Sequence, residues 1–224
     1  MDSALPRSVL IAGASGLVGR EILQGLLADD SVAAVHSVGR RELQLQHPKL
    51  TQHRVDFSKA LPALPSVGEA FVALGTTIKV AGSQEAFRAV DFDAVLAVAR
   101  AAKAAGATRL GVVSAMGADP RSRIFYNRVK GEMEAALTAL DFDTLVIARP
   151  SFLVGDREAL GQPLRGGEKL ALNVSKWLAP LIPDNLKAID AAAVARALLD
   201  AVPKLRGRHV LPSGQMRQGL SLRA

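Results

Sequence analysis

The 224-residue chain has a single tyrosine, and a lysine stands four residues after it, in Tyr126-Asn127-Arg128-Val129-Lys130. On a helix, side chains at that spacing share one face, so a phenol and an ammonium would lie side by side. A free phenol ionises near pH ~10 and is a poor acid–base group at neutral pH, but an adjacent ammonium stabilises the phenolate. The pairing predicts that Tyr126 donates a proton with Lys130 in support. Ser114 stands twelve residues before Tyr126, at the end of an apolar run. A hydroxyl there is placed to orient a substrate oxygen as charge develops on it.

A second cluster binds rather than reacts. Gly13-Ala14-Ser15-Gly16-Leu17-Val18-Gly19 follows an apolar run and opens an amphipathic segment. Gly13 suits a tight turn, Gly16 a close approach to a pyrophosphate and Gly19 a helix packed tightly on a sheet, while the helix N-terminus offers N–H donors. Ser15 is a candidate cap or phosphate contact. The next apolar run ends in Gly39-Arg40-Arg41, with no acid at the position that would bind a ribose 2′-hydroxyl. Guanidinium groups there pair with a 2′-phosphate, so the expected cofactor is NADP(H) in preference to NAD. The missing acid also argues against an S-adenosylmethionine methyltransferase.

These residues need elements to hold them. Short apolar runs at 9–12, 32–38, 52–56, 70–74, 110–113 and 145–148 read as buried strands, and amphipathic segments at 17–28, 84–105 and 124–140 read as helices between them. Strand and helix in alternation predict an α/β fold with a doubly wound parallel sheet, in which ligands bind beyond the carboxyl ends of the strands. The motifs fall at such ends. After Pro150 the pattern loosens, with helical segments near 169–178 and 191–201 and a last strand near 209–211. This stretch reads as a substrate-side segment (151–224) on a single domain whose core is 1–150, with a loosely ordered tail from Ser213. Trp177 is a candidate pocket residue, though a lone tryptophan more often packs in a core.

Composition narrows the classes. There are no cysteines, which excludes disulfides, thiolate zinc sites and thiol nucleophiles, and with them an acylating semialdehyde dehydrogenase. The four histidines show no metal-ligand spacing, so no metal is expected. The net charge of +7 is spread along the chain without a dense basic run, which predicts no specific nucleic-acid partner. No apolar stretch reaches the roughly 18 residues of a membrane span. Without a signal-like N-terminus, a cytoplasmic protein is expected, with a small-molecule substrate and a homodimer as an open possibility.

Together these residues resemble the short-chain dehydrogenase/reductase superfamily, through the turn from Gly13 to Gly19, Asp56-Phe57, Leu74-Gly75-Thr76-Thr77, Ser114, Tyr126 and Lys130. More closely the chain is similar to the atypical, Tat-interacting-protein-like oxidoreductases, in Gly-Ala-Ser-Gly, Gly-Arg-Arg, Val-Asp-Phe, Leu-Gly-Thr-Thr, Val-Lys-Gly-Glu and Arg149-Pro150. The resemblance implies that Asp56 and Phe57 lie by the adenine and Leu74 to Thr76 by the ribose and nicotinamide, with Pro150 and Phe152 along the nicotinamide. It also implies that Lys130 holds the ribose. The chain departs from the wider pattern at Val90-Asp91, where many extended members have Asn, and at Ala115, where a second Ser is common. The expected activity is NADP(H)-dependent reduction of a small carbonyl or related substrate. A non-catalytic NADPH-binding sensor and a sugar-nucleotide epimerase or dehydratase are the alternatives, and the short region after Pro150 speaks against the last.

Overall fold

The computed structural model describes residues 6–154 and 185–219. Seven strands form one sheet in the order β3-β2-β1-β4-β5-β6-β9, and every neighbouring pair is parallel. They are β1 (Arg7–Ala12), β2 (Val32–Gly39), β3 (Leu50–Arg54), β4 (Glu69–Val72), β5 (Arg109–Val113), β6 (Thr144–Arg149) and β9 (Gly207–Pro212). A small second sheet pairs β7 (Leu153–Val154) with β8 (Ile189–Asp190). Strand order reverses between β1 and β4, which opens a crevice at their carboxyl ends, the usual ligand position in such sheets.

Both faces of the sheet are buried, and successive strand residues supply opposite sides. Val9 and Ile11 join one apolar cluster with Ile22, Leu23 and Leu26 of α1 (Leu17–Ala28) and with Val194 and Leu198 of α6 (Ala191–Ala201). Leu10 and Ala12 join the other, with Val95, Val98 and Ala99 of α4 (Val95–Ala104) and Met133 and Leu137 of α5 (Phe125–Thr138). The stretch after Pro150, read as a substrate-side segment, thus also gives the core a helix and the sheet its last strand.

Two readings of the local sequence are corrected. The segment 84–105 is not one α-helix: α3 (Gln84–Arg88) passes into a π-helical turn (Ala89–Ala94) before α4 begins. A short helix, α2 (Ile78–Ala81), precedes it, capped by the Thr77 side chain, which accepts from the Val80 N–H. The stretch from Ser213, read as a loosely ordered tail, starts as a helix, α7 (Ser213–Gln218), which buries Ser213, Gly214 and Met216. The helical segment at 169–178 and Trp177 lie outside the described residues.

Candidate cofactor and active site

Around Gly13 and Gly19 the turn is built by close contacts that leave no space for a side chain. Gly13 has φ +87°, and a Cβ there would lie 2.5 Å from the carbonyl oxygen of Ala73, the residue after β4. A Cβ on Gly19 would lie 2.0 Å from the carbonyl oxygen of Gly13. So Gly13 serves contact with the neighbouring strand end, and Gly19 serves contact between helix and turn. Gly16 differs: its Cβ would meet only Gly13 O at 3.4 Å and Ala73 O at 4.0 Å. It is the N-cap of α1, without a side-chain cap, so Ser15 does not cap the helix and the first N–H groups are left for a ligand.

Beyond this turn lies a cavity of about 830 Å³, lined by Gly13, Ser15 and Gly16, by Arg40 and Arg41 after β2, by Asp56 and Phe57 after β3, and by Leu74, Gly75, Thr76 and Thr77 after β4. Residues expected from four separate stretches of sequence therefore meet in one crevice. Leu17, Val18 and Gly19 stand just outside it in the first turn of α1, with Val18 and Gly19 buried. Arg40 and Arg41 are exposed, and neither has a partner among the described residues. Asp56 accepts from the Ser58 hydroxyl at 2.7 Å and the Ser58 N–H at 3.0 Å. Those bonds hold its carboxyl below the usual carboxylate range. Ser37, Val38, Val90 and Asp93 also line the cavity and were missed, because nothing in their types marks them.

The residues read as catalytic are arranged less simply. Tyr126 is half-buried on α5, its ring centroid 5.3 Å from that of Phe87, and its hydroxyl makes no hydrogen bond among the described residues. Lys130, one turn on, is buried; its Nζ lies 2.7 Å from Oδ1 of Asp91 and 3.9 Å from where a Gly75 Cβ would be, directly behind the cavity wall. Asp91 Oδ2 accepts from the Thr76 N–H at 2.8 Å. Ser114 is buried and its hydroxyl donates to Glu134 Oε1 at 2.5 Å. Glu134 is in turn clamped by Arg149, whose Nε and Nη2 donate at 2.9 and 2.6 Å. Ser114, Tyr126, Pro150 and Phe152 are not among the residues lining the cavity. Pro150 is buried and its carbonyl accepts from the Met116 N–H, whereas Phe152 is 68% exposed. Glu134 carried a signal that the sequence reading passed over, since it lies four residues after Lys130 and eight after Tyr126 on one helical face.

A doubly wound parallel sheet with a glycine turn at its switch point defines a Rossmann-type dinucleotide-binding protein. The chain belongs to the NAD(P)H-binding family, whose model matches residues 13–177, and its fold is that of the short-chain dehydrogenases/reductases. It is 37% identical over 203 residues to Protein HTATIP2 of Rattus norvegicus, a match covering 87% of this chain and 80% of that protein. It is 33% identical over 223 residues to Protein FMP52, mitochondrial, of Coccidioides immitis, covering 92% and 89% respectively. Among solved structures it is similar to a short-chain dehydrogenase/reductase family oxidoreductase from Burkholderia thailandensis. That match has a TM-score of 0.70 and 19% identity over 96% of this chain and 94% of the other. MoeE5 in complex with UDP-glucose and NAD matches with a TM-score of 0.68 and 20% identity, covering 91% and 75%.

The expectation of a cytoplasmic protein is corrected by these relatives. Fungal relatives from several species, among them Candida albicans at 32% identity, are named mitochondrial. A missing signal-like N-terminus does not distinguish the two compartments. No helix among the described residues is long and apolar enough to cross a membrane.

Proposed function

We propose that the protein is an NADPH-dependent reductase of a small carbonyl substrate. When bound, the nicotinamide supplies the hydride. The observation that carries the reading is the placement of Lys130: one helical turn from Tyr126, with its ammonium behind Gly75 at the wall of the cavity. Tyr126 donates the proton to the substrate oxygen, and the nearby ammonium favours the phenolate left behind. The N-terminal N–H groups of α1 hold the pyrophosphate, and Gly16 keeps the approach open. Arg40 and Arg41, at the end of β2 and without a partner among the described residues, favour a 2′-phosphate over a bare hydroxyl there. For Ser114 the geometry supports anchoring in place of the substrate contact expected from sequence, because its proton is committed to Glu134. The test is Tyr126→Phe, assayed for NADPH oxidation across a carbonyl panel beside NADPH binding. Lost turnover with binding retained supports the reading, and unchanged turnover rejects it.

One observation favours a second reading, a cofactor-binding sensor without turnover. Two of the three polar groups expected at the reaction centre, Ser114 and Lys130, are engaged by buried carboxylates. Absence of NADPH oxidation, together with a protein partner bound only when NADPH is present, would favour the sensor.

A further inference from the structure

The buried carboxylate of Asp91 has no part in the proton transfer above, yet it touches both halves of the site. The π-helical turn in which it sits widens the helix and turns Asp91 inward, to 1% exposure. A carboxylate so buried requires compensation, and this one has two sources. Oδ2 takes the Thr76 N–H from the cavity wall, while Oδ1 faces the Lys130 ammonium, whose side chain is 4% exposed. The second contact is one of charge, since Oδ1 receives no aligned hydrogen bond. One side chain thereby ties the loop after β4 to the lysine of α5.

The other charged groups around this helix are occupied or turned outward. Glu132 of α5 pairs with Arg88 of α3, and Glu134 pairs with Arg149 of β6. Asp93 is exposed on the π turn and lines the cavity, and Asp119 is exposed in the loop after β5, its N–H bonded to the carbonyl of Asn127. Arg128 donates to the Ser122 carbonyl. Among the described residues, Asp91 is the carboxylate in contact with Lys130.

We propose that Asp91 is a positioning residue that holds the Lys130 ammonium against the cavity wall and offsets its charge, so that Tyr126 works beside a partly neutralised lysine. The inference rests on the reading of Tyr126 and Lys130 as one functional pair. Its consequence is that the lysine's pull on the phenol is set by a third residue, and that charge at position 91 tunes the proton donor.

The chain's only tyrosine makes this directly measurable, because the near-ultraviolet absorbance of tyrosinate reports Tyr126 alone. In Asp91→Asn the amide keeps an acceptor for the Thr76 N–H but leaves the ammonium uncompensated. The tyrosinate midpoint is expected to fall by about one pH unit relative to the unsubstituted protein. In the double variant Asp91→Asn/Lys130→Met both charges are gone, and the midpoint should return close to the original value. An unchanged or raised midpoint in Asp91→Asn overturns the proposal, and so does a double variant that titrates with Asp91→Asn. If Asp91→Asn does not fold, Lys130→Met is compared with the double variant, which must titrate at the lower pH; equal midpoints overturn the proposal. No substrate or cofactor enters this titration, so a failed reductase reading in Tyr126→Phe leaves its outcome standing, and a flat titration leaves the Tyr126→Phe result standing.

Discussion

Ser114 and Glu134 are joined by a 2.5 Å hydrogen bond in which the serine is the donor, and the same carboxylate receives two bonds from Arg149. This cluster binds the end of β5 and the end of β6 to the middle of α5. It therefore fixes the helix that carries Tyr126 and Lys130 against the sheet.

Ser114→Ala separates anchoring from substrate contact. As an anchor bonded to a carboxylate, Ser114 contributes about 2 kcal/mol to stability, and its loss should change turnover little once the protein is folded. As a substrate-orienting hydroxyl it would behave in the opposite way, with stability kept and turnover reduced by roughly two orders of magnitude. Glu134→Ala should cost more, about 3 kcal/mol, because it strands the Arg149 guanidinium as well. Urea denaturation of the two variants, beside their rates of NADPH oxidation, decides between the roles.

The three glycines of the turn should respond differently to alanine. Gly13→Ala and Gly19→Ala drive a methyl into backbone at 2.5 Å and 2.0 Å, so both are expected to unfold the turn and lower the melting temperature sharply. Gly16→Ala meets its nearest neighbour at 3.4 Å and should fold nearly normally. Its methyl would occupy the pyrophosphate's approach, and NADPH affinity should drop by at least about tenfold. Melting curves and NADPH fluorescence titration together report the split.

If Arg40 and Arg41 read the 2′-phosphate, replacing both with serine should weaken NADPH binding by about tenfold to a hundredfold while leaving NADH within about twofold. Equal losses for the two cofactors would mean that the arginines supply only general positive potential. Calorimetric titration with each cofactor makes the comparison.

Acid should loosen the strand that presents those arginines. His36 on β2 lies 3.2 Å, Nδ1 to Nε2, from His53 on β3, and burial followed by the charge of His53 holds the His36 pKa below the ordinary imidazole value. The unfolded chain then binds the proton more readily than the folded one. The stability due to this pair is therefore whole above about pH 6.5 and lost as the pH falls through the lower, folded value. His36→Gln should flatten the dependence of the urea midpoint on pH between about pH 7 and 5. An equally steep dependence in the variant would place its origin elsewhere.

The parts of the fold legible in the sequence were those encoded locally. The run at 9–12, the glycines at 13, 16 and 19 and the amphipathic stretch behind them carry the period and turn chemistry of strand, turn and helix, and β1, the turn and α1 follow in that order. The π turn at Ala89–Ala94 was not legible, because one extra residue in a helical turn shifts the apolar period too little to separate from an ordinary helix. Nor was the end of β4: the run 70–74 reads as strand throughout, but pairing stops at Val72, beside the Gly13 turn. The cavity-lining residues after β1 to β4 could be named because the switch point gathers strand ends by rule. The helical spacing put Glu134 on the face of Tyr126 and Lys130 but did not pair it with Ser114, 20 residues before it, and nothing local pointed to Asp91, 39 residues before Lys130. Only the folded sheet and helices bring them together.

The contact between α1 and α6 gives this protein an order of assembly. A Cβ on Gly25 of α1 would lie 2.4 Å from Leu199 Cδ1 of α6, so the two helices lie close together, and Ile22, Leu23 and Leu26 share one apolar cluster with Val194 and Leu198. The ribosome makes α1 well before α6. Throughout that interval the helix behind the glycine turn has an apolar face without part of its cover. Cofactor capture therefore waits on a helix that is made after every strand lining the cavity.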